Sequence, residues 1–286
     1  MVMIPKSPEQ QIVDRIYKTY EDAEAAQDAE RGGIYLGRLG ASTIGEECLR
    51  QLWLDWRGYV RKAFPGRMLR LFGTGHWQEE RIVADLKAAG LQVWEKTADG
   101  RQFEFTDPTG HLVCKVDGVL KGVPESSDKA HVLEIKTHNQ TSFNAVVKHG
   151  VQKSKPLHYV QMQVGMWLSD ITRALYVPLC KNDEQYDVQR IKTDRAVQRE
   201  VEKKVIRLVE ARLRPAMISD DPDSFSCKFC DMKGVCHGKE QPLKHCRTCQ
   251  SCTPVENGEW HCSRYGSILN THEQRQGAEC PDWELL

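Results

Sequence analysis

Between Leu91 and Thr137 the sequence stops reading as helix and becomes a succession of short β-rich runs, and this change of period constrains the fold more than any other feature. The runs are LQVWEK, RQFEFTD, HLVCKVDGVL and HVLEIKT. Turn-forming stretches separate them: Asp99-Gly100, Asp107-Pro-Thr-Gly110 and the polar segment Val123 to Asp128. Four runs in such quick succession predict an antiparallel meander. Helical signals flank them on both sides, so the chain reads as a mixed α/β layer architecture.

On the N-terminal side, Ser7, Pro8 and Gln10 form a capped helix start, and Ile12, Val13, Ile16, Tyr17 and Tyr20 supply its apolar stripe to about Ala29. Thr43 and Glu46 repeat the capping pattern ahead of Cys48, Leu49, Leu52, Trp53 and Trp56, predicting a second, buried helix. A third begins near Arg67 or Gly75 and ends at Gly90. Beyond the strands the pattern predicts a helix containing Phe143 to His149, a Lys-rich loop and a helix from about Pro156 to Ser169. Two strands, RALYVPLC and YDVQRIK, and an amphipathic helix from Asp194 to about Arg214 follow.

Forty basic residues balance forty acidic ones, so any attraction to a polyanion has to come from a local concentration of charge. The opening MVMIPKSPEQ lacks the pattern of a secretory signal, and no apolar run approaches the roughly 20 residues of a membrane span. The expectation is a cytoplasmic protein of a bacterium or an infected host cell. In a reducing compartment eleven cysteines argue for metal or cluster ligation over disulfides. Eight of them follow residue 226, in a segment poor in aliphatic periodicity that is expected to be held by metal more than by a hydrophobic core.

Glu134, Ile135 and Lys136 fall on one predicted strand, so Glu134 and Lys136 share a face and Ile135 takes the other. Asp117 lies at the end of the preceding run, at a distance in sequence that suits two paired strands, which would bring it beside Glu134. Two hard carboxylates suit magnesium or manganese, and the lysine would orient or deprotonate a water, the ingredients of metal-assisted phosphodiester hydrolysis. A solvated sheet face is the plain alternative for this triplet taken alone.

The ordered set is more informative. Gly75-His76-Trp77-Gln78-Glu79 on a helix, Asp117-Gly118, Glu134-Ile135-Lys136 and Gln161 on a later helix resemble the motifs of RecB-like PD-(D/E)XK nucleases, over about Leu36 to Cys236. The relatives include the CRISPR-adaptation nuclease and lambda-exonuclease-like phage enzymes. The resemblance implies an α/β, restriction-endonuclease-like core: a mixed sheet flanked by helices. It makes Asp117 and Glu134 metal ligands, with His76 and the Ile135 carbonyl as further ligands. Lys136 becomes the catalytic lysine, Glu79 a support for the metal or its waters, and Gln161 a contact to DNA or to the lysine. The proline of the family's name is Val116 here.

Cys227, Cys230 and Cys236, spaced C-x2-C-x5-C, with a distant Cys48, resemble the iron–sulfur branch of these nucleases, which implies a structural four-iron four-sulfur cluster. A zinc ion would use the same four thiols. Cys114 and Cys180 read as buried apolar residues. Cys246-x2-Cys249 with Cys262 and Cys280 fits a zinc ribbon, with Cys252 a fifth candidate and His245, His261 and His272 nearby. The expected organisation is an N-terminal helix over 1–36, a nuclease core over 37–225, a cluster segment over 226–240 that closes with Cys48, and a zinc module over 241–286.

DNA is the expected partner. Lys148, Lys153 and Lys155, with His149, would meet phosphates, and Lys203, Lys204, Arg207, Arg212 and Arg214 form a second basic surface. Phage or bacterial recombination, repair or genome processing is the expected setting, with a homo-oligomer or a recombination protein as a further partner. A DNA-binding scaffold that retains the fold without turnover is the alternative. A cysteine redox protein is disfavoured, because the CxxC pairs lack a thioredoxin-like setting.

Overall fold

The computed structural model describes residues 7–286. Part of the N-terminal stretch read above for a secretory signal lies outside the described residues. Among those described, no helix is long and apolar enough to cross a membrane.

Helix α1 (Pro8–Glu30) starts as its sequence predicts, with Pro8 in the first turn and Ser7 Oγ accepting the Gln10 N–H. Its apolar stripe is not buried: Ile12, Val13 and Ile16 remain exposed. The second helix, α2 (Leu49–Trp56), begins later than the Thr43–Glu46 pattern suggests. Tight turns occupy 40–46 instead, and Lys204 Nζ donates to the Ile44 and Glu46 carbonyls at 3.0 and 2.8 Å. Cys48 is therefore the N-cap of α2, its Sγ accepting the Gln51 N–H, while Leu52, Trp53, Leu54 and Trp56 are buried as expected. Helix α3 (Gly66–Ala88) takes the earlier of its two predicted starts. Gly66 is required there, because a Cβ would lie 2.1 Å from the Tyr17 carbonyl oxygen of α1.

The predicted meander is divided between two sheets. A three-stranded sheet holds β1 (Leu39–Gly40), β3 (Glu104–Thr106) and β4 (Leu112–Lys115), in the order β1-β4-β3. A five-stranded sheet holds β2 (Gln92–Trp94), β5 (Gly118–Lys121), β6 (His131–His138), β7 (Arg173–Cys180) and β8 (Gln189–Lys192), in that order. The run HLVCKVDGVL, read as one strand, breaks at Val116 and Asp117 and contributes β4 to one sheet and β5 to the other. Strands β6 and β7 are parallel. The crossover between them carries α4 (Gln140–His149), the short α5 (Val151–Ser154), where a Lys-rich loop was expected, and α6 (Pro156–Ser169). Helix α7 (Arg195–Glu210), capped by Asp194, stops short of Arg214, whose guanidinium turns to the Leu286 carbonyl.

Both faces of the five-stranded sheet are covered. Leu120, Leu133, Ile135, Leu175 and Val177 pack with Ile82 and Val83 of α3, and Val132, Ala174 and Tyr176 pack in the cluster that holds Met162 and Val164 of α6 and Val201 of α7. Each such side chain fully buried contributes about 1.5–3 kcal/mol. Gly165 lets α6 approach closely, since a Cβ there meets Val116 and Val132 at 3.4 Å.

The C-terminal segment contains α8 (Lys233–Cys236), an antiparallel sheet of β9 (Cys252–Pro254), β10 (Trp260–Cys262) and β11 (Ser267–Leu269), and α9 (Thr271–Gln276). The expectation that it lacks a hydrophobic core is corrected. Trp260, 1% exposed, packs against Trp56 of α2, and Met232, Val235, Cys249 and Cys252 join the main apolar cluster. Trp260 and a few scattered apolar and sulfur side chains, which carry no aliphatic periodicity, do the packing.

Candidate active site

Strand β6 pairs with β5 in a register that sets Gly118 opposite Leu133, and this places Asp117 beside the middle of β6. Asp117 Oδ2 accepts the Ile135 N–H at 2.7 Å, so the break between β4 and β5 turns this carboxylate inward and ties it to the neighbouring strand. Alternation along β6 puts Glu134 and Lys136 on one face, with Ile135 in the opposite core, as predicted.

Glu134 is 1% exposed. Its Oε2 accepts from Gln161 Nε2 at 3.0 Å, so α6 supplies the glutamine that orients it. Its Oε1 lies 2.5 Å from Lys136 Nζ, an ion pair outside hydrogen-bond geometry that leaves this buried oxygen without a hydrogen-bond partner. Loss of solvent, with Asp117 and Glu79 nearby, pushes the Glu134 carboxyl up to about 8 against the pull of Lys136. Asp117 is also raised by burial, against the pull of Lys136, the Ile135 N–H and His76. Burial disfavours the charged form of Lys136, but Glu134, Asp117 and Glu79 more than reverse this and hold it as ammonium.

From α3, the half-buried Glu79 joins the group. Burial and Asp117 raise its carboxyl, while His76 and Lys136 lower it. His76 is exposed at the edge. The structure thus brings His76, Glu79, Asp117, Glu134, Lys136 and Gln161 into one neighbourhood from two helices, strand β6 and the break between β4 and β5. Among the described residues, no three His, Cys, Asp or Glu side chains are drawn together tightly enough to hold a metal ion as they stand.

Sequence reasoning missed the layer behind Glu134. Tyr176 on β7 bonds His138 Nε2 at 2.9 Å and His158 Nδ1 at 2.8 Å through its hydroxyl. Burial lowers His138 to about 4 and His158 to about 3, with Lys136 and Lys155 adding to both shifts. The signal was present in strand alternation, because His138 follows Glu134 and Lys136 on the same face of β6. Cys114, read as an apolar residue, is buried under the site, and loss of solvent and the two acids push its thiol far up. Gln163 is fully buried and structural: it donates to the Lys192 carbonyl and accepts the Asp194 N–H.

Of the basic residues, Lys148 and Lys153 are exposed and Lys155 is half-buried near the His138–His158 pair. The second basic surface is largely committed to structure. Lys204 and Arg214 bind backbone carbonyls, and Lys203 pairs with Glu200 at 2.8 Å.

The cysteines gather as two groups. Cys48, Cys227, Cys230 and Cys236 line a cavity of about 20 Å³ at the N-terminus of α2, where Arg50 approaches Cys236 Sγ at 4.0 Å. Cys246, Cys249, Cys252, Cys262 and Cys280 line another of about 180 Å³. Burial and the neighbouring thiols raise Cys246 to about 11, and burial raises Cys252 to about 12.

Residues 91–172 match the family described as a YqaJ-like viral recombinase domain. No curated protein matches the sequence. Solved structures resembling the chain include LHK-Exo in complex with dAMP, at 22% identity and a TM-score of 0.46 over 60% of this chain and 86% of that one. LHK-Exo is described as an alkaline exonuclease from Laribacter hongkongensis. A phage related exonuclease from Haemophilus somnus 129PT aligns at 17% identity and a TM-score of 0.44 over 61% of this chain and 92% of that one. The segment that carries Asp117, Glu134, Lys136 and Gln161 is thus similar in sequence to a YqaJ-like viral recombinase domain.

Proposed function

We propose that the protein is a divalent-metal-dependent deoxyribonuclease of the PD-(D/E)XK type, an exonuclease or DNA-end-processing enzyme of phage or bacterial recombination, repair or genome processing. The observation that carries this reading is the Glu134 carboxylate, buried, fixed through one oxygen by Gln161 and paired at the other with the Lys136 ammonium 2.5 Å away, beside Asp117. Acids raised mainly by burial are relieved by a cation, and a donor set made mostly of oxygen suits magnesium or manganese. Asp117, Glu134, the Ile135 carbonyl and His76 are the proposed ligands. The bound ion would polarise the phosphate and offset charge on the leaving oxygen. Lys136, held as ammonium, donates to the scissile phosphate or its water. Glu79 accepts from waters at the site, Gln161 keeps Glu134 aligned, and Lys148, Lys153 and Lys155 meet the DNA backbone.

The two cysteine groups are proposed as structural metal centres. The resemblance favours a four-iron cluster on Cys48, Cys227, Cys230 and Cys236. A single zinc ion on the same four thiols is the alternative. Cys246, Cys249, Cys262 and Cys280 are the proposed zinc ligands. Cys48→Ser separates the roles of its thiol: serine preserves the N-cap of α2 but is a poor soft ligand. The expected result is unchanged helicity with loss of bound metal, and of visible absorbance if that metal is a cluster.

The direct test is degradation of end-labelled duplex and single-stranded DNA by anaerobically purified protein in magnesium or manganese. Lys136→Ala and Asp117→Ala should each reduce cleavage roughly a hundredfold or more. Wild type that binds both DNAs and cleaves neither would sink the nuclease reading in favour of a binding scaffold.

A further inference from the structure

Two arginines are buried beside the C-terminal cysteine cavity without a carboxylate. Arg57, at the C-cap of α2, is 1% exposed, and Arg247, in the turn joining Cys246 to Cys249, is 5% exposed. Neither forms an ion pair among the described residues. Arg57 Nη1 donates to the Arg247 and Cys252 carbonyls at 2.8 and 3.3 Å, and its Nε has no partner. Arg247 donates to the carbonyls of Gly37, Trp56 and Leu36 and to Gln274 Oε1. Both guanidiniums lie over the Trp260 ring, 5.1 and 4.5 Å from its centroid. Carbonyls and rings ease two adjacent buried cations without neutralising them, which an anionic group close by would do.

Sulfur is in reach. Cys252 is electrostatically close to both guanidiniums and to Cys246 and Cys262, and it sits opposite Cys262 across β9 and β10. None of the nearby histidines lines the cavity. His245 Nε2 meets the Gly58 carbonyl at 2.8 Å while its buried Nδ1 has no partner, His272 meets Gln276, and strand alternation turns His261 away from Cys262.

We propose that this cavity holds a thiophilic metal centre bound by thiolates alone, from Cys246, Cys249, Cys262 and Cys280, and that Arg57 and Arg247 are the counter-charges of the resulting anionic site. Four thiolates around a zinc ion carry two net negative charges, and the two guanidiniums balance them. The inference rests on the metal reading of the C-terminal cysteines and is independent of the nuclease reading. It also makes α2 the link between the two cysteine groups, with Cys48 at one end and Arg57 at the other.

The test uses the full-length protein as purified, assayed for zinc, iron and acid-labile sulfide beside its Cys280→Ser variant. A metal centre lost in the variant supports the site, and zinc or iron with sulfide identifies it. A wild type with no more metal than the variant overturns the site, whatever the cleavage assay shows. Cobalt exchanged into a zinc-loaded site should show the sulfur charge-transfer intensity of four thiolates, and a weaker, mixed-ligand spectrum overturns thiolate-only binding. Arg57→Met should transfer this metal to a chelator roughly tenfold faster or more, with Arg57→Lys close to wild type. Equal rates in all three overturn the counter-charge role. Should the methionine variant not fold, the lysine variant decides: wild-type metal retention supports the role of charge, and metal loss overturns it.

Discussion

Glu134 and the His138–Tyr176–His158 group behind it show opposite uses of burial. The glutamate is held where its charge is disfavoured, mainly by loss of solvent. The histidines are held neutral because desolvation and nearby lysines oppose their protonation. Their folded values, about 4 and about 3, lie below the ordinary 6.5. Between those limits the unfolded chain binds protons that the folded chain refuses, so stability present at neutral pH is lost as pH falls through that window. The melting temperature should therefore drop between about pH 7 and about pH 5, and the drop should shrink in a His138→Gln/His158→Gln double variant. An identical pH slope in the double variant would show that the acid sensitivity arises elsewhere.

At the scale of elements, the break between β4 and β5 decides where Asp117 goes. Gly118 opens β5, and a Cβ there would lie 2.8 Å from the Trp94 carbonyl oxygen on β2. Gly118→Ala should therefore force β2 and β5 apart, costing about 1–3 kcal/mol, and shift Asp117 away from the Ile135 N–H. Calorimetry and cleavage rates should both register the change. Retention of wild-type values in both would mean that the edge strand yields without disturbing the acid. Helix α6 has a similar dual duty: Gly165 sets its closeness to the sheet, and Gln161, one turn earlier, reaches Glu134 because of that closeness.

For the whole molecule, the C-terminal segment is stitched to the rest of the chain at several points. Trp260 packs on Trp56, Tyr59 Oη donates to the Leu286 carbonyl at 2.7 Å, and His111 Nε2 meets the Val255 carbonyl at 2.7 Å. A chain truncated before residue 241 would expose Trp56 and leave Arg57 without its carbonyl acceptors. The truncated protein should be aggregation-prone or melt well below the full chain. Expression as a soluble monomer with an unchanged melting temperature would show that the segment is an independent appendage.

Local pattern determined much of this protein. Strand alternation alone put Glu134 and Lys136 on one face, turn sequences marked the strands, and the caps at Ser7 and Asp194 and the bounds of α6 follow from near-neighbour chemistry. Spacing kept Cys227, Cys230 and Cys236 together, and Cys246 with Cys249, because short loops hold near neighbours close, whereas Cys48 meets its group only through the tertiary structure. Only the tertiary structure decided that one β-rich run would split between two sheets, since strand partnership depends on backbone hydrogen bonds from distant segments. It also decided that the α1 stripe stays exposed, that Thr43 caps a turn and not a helix, and that Arg57 and Arg247 are buried together. Those outcomes depend on which residues far apart in sequence share a low-dielectric interior, and no local period encodes that.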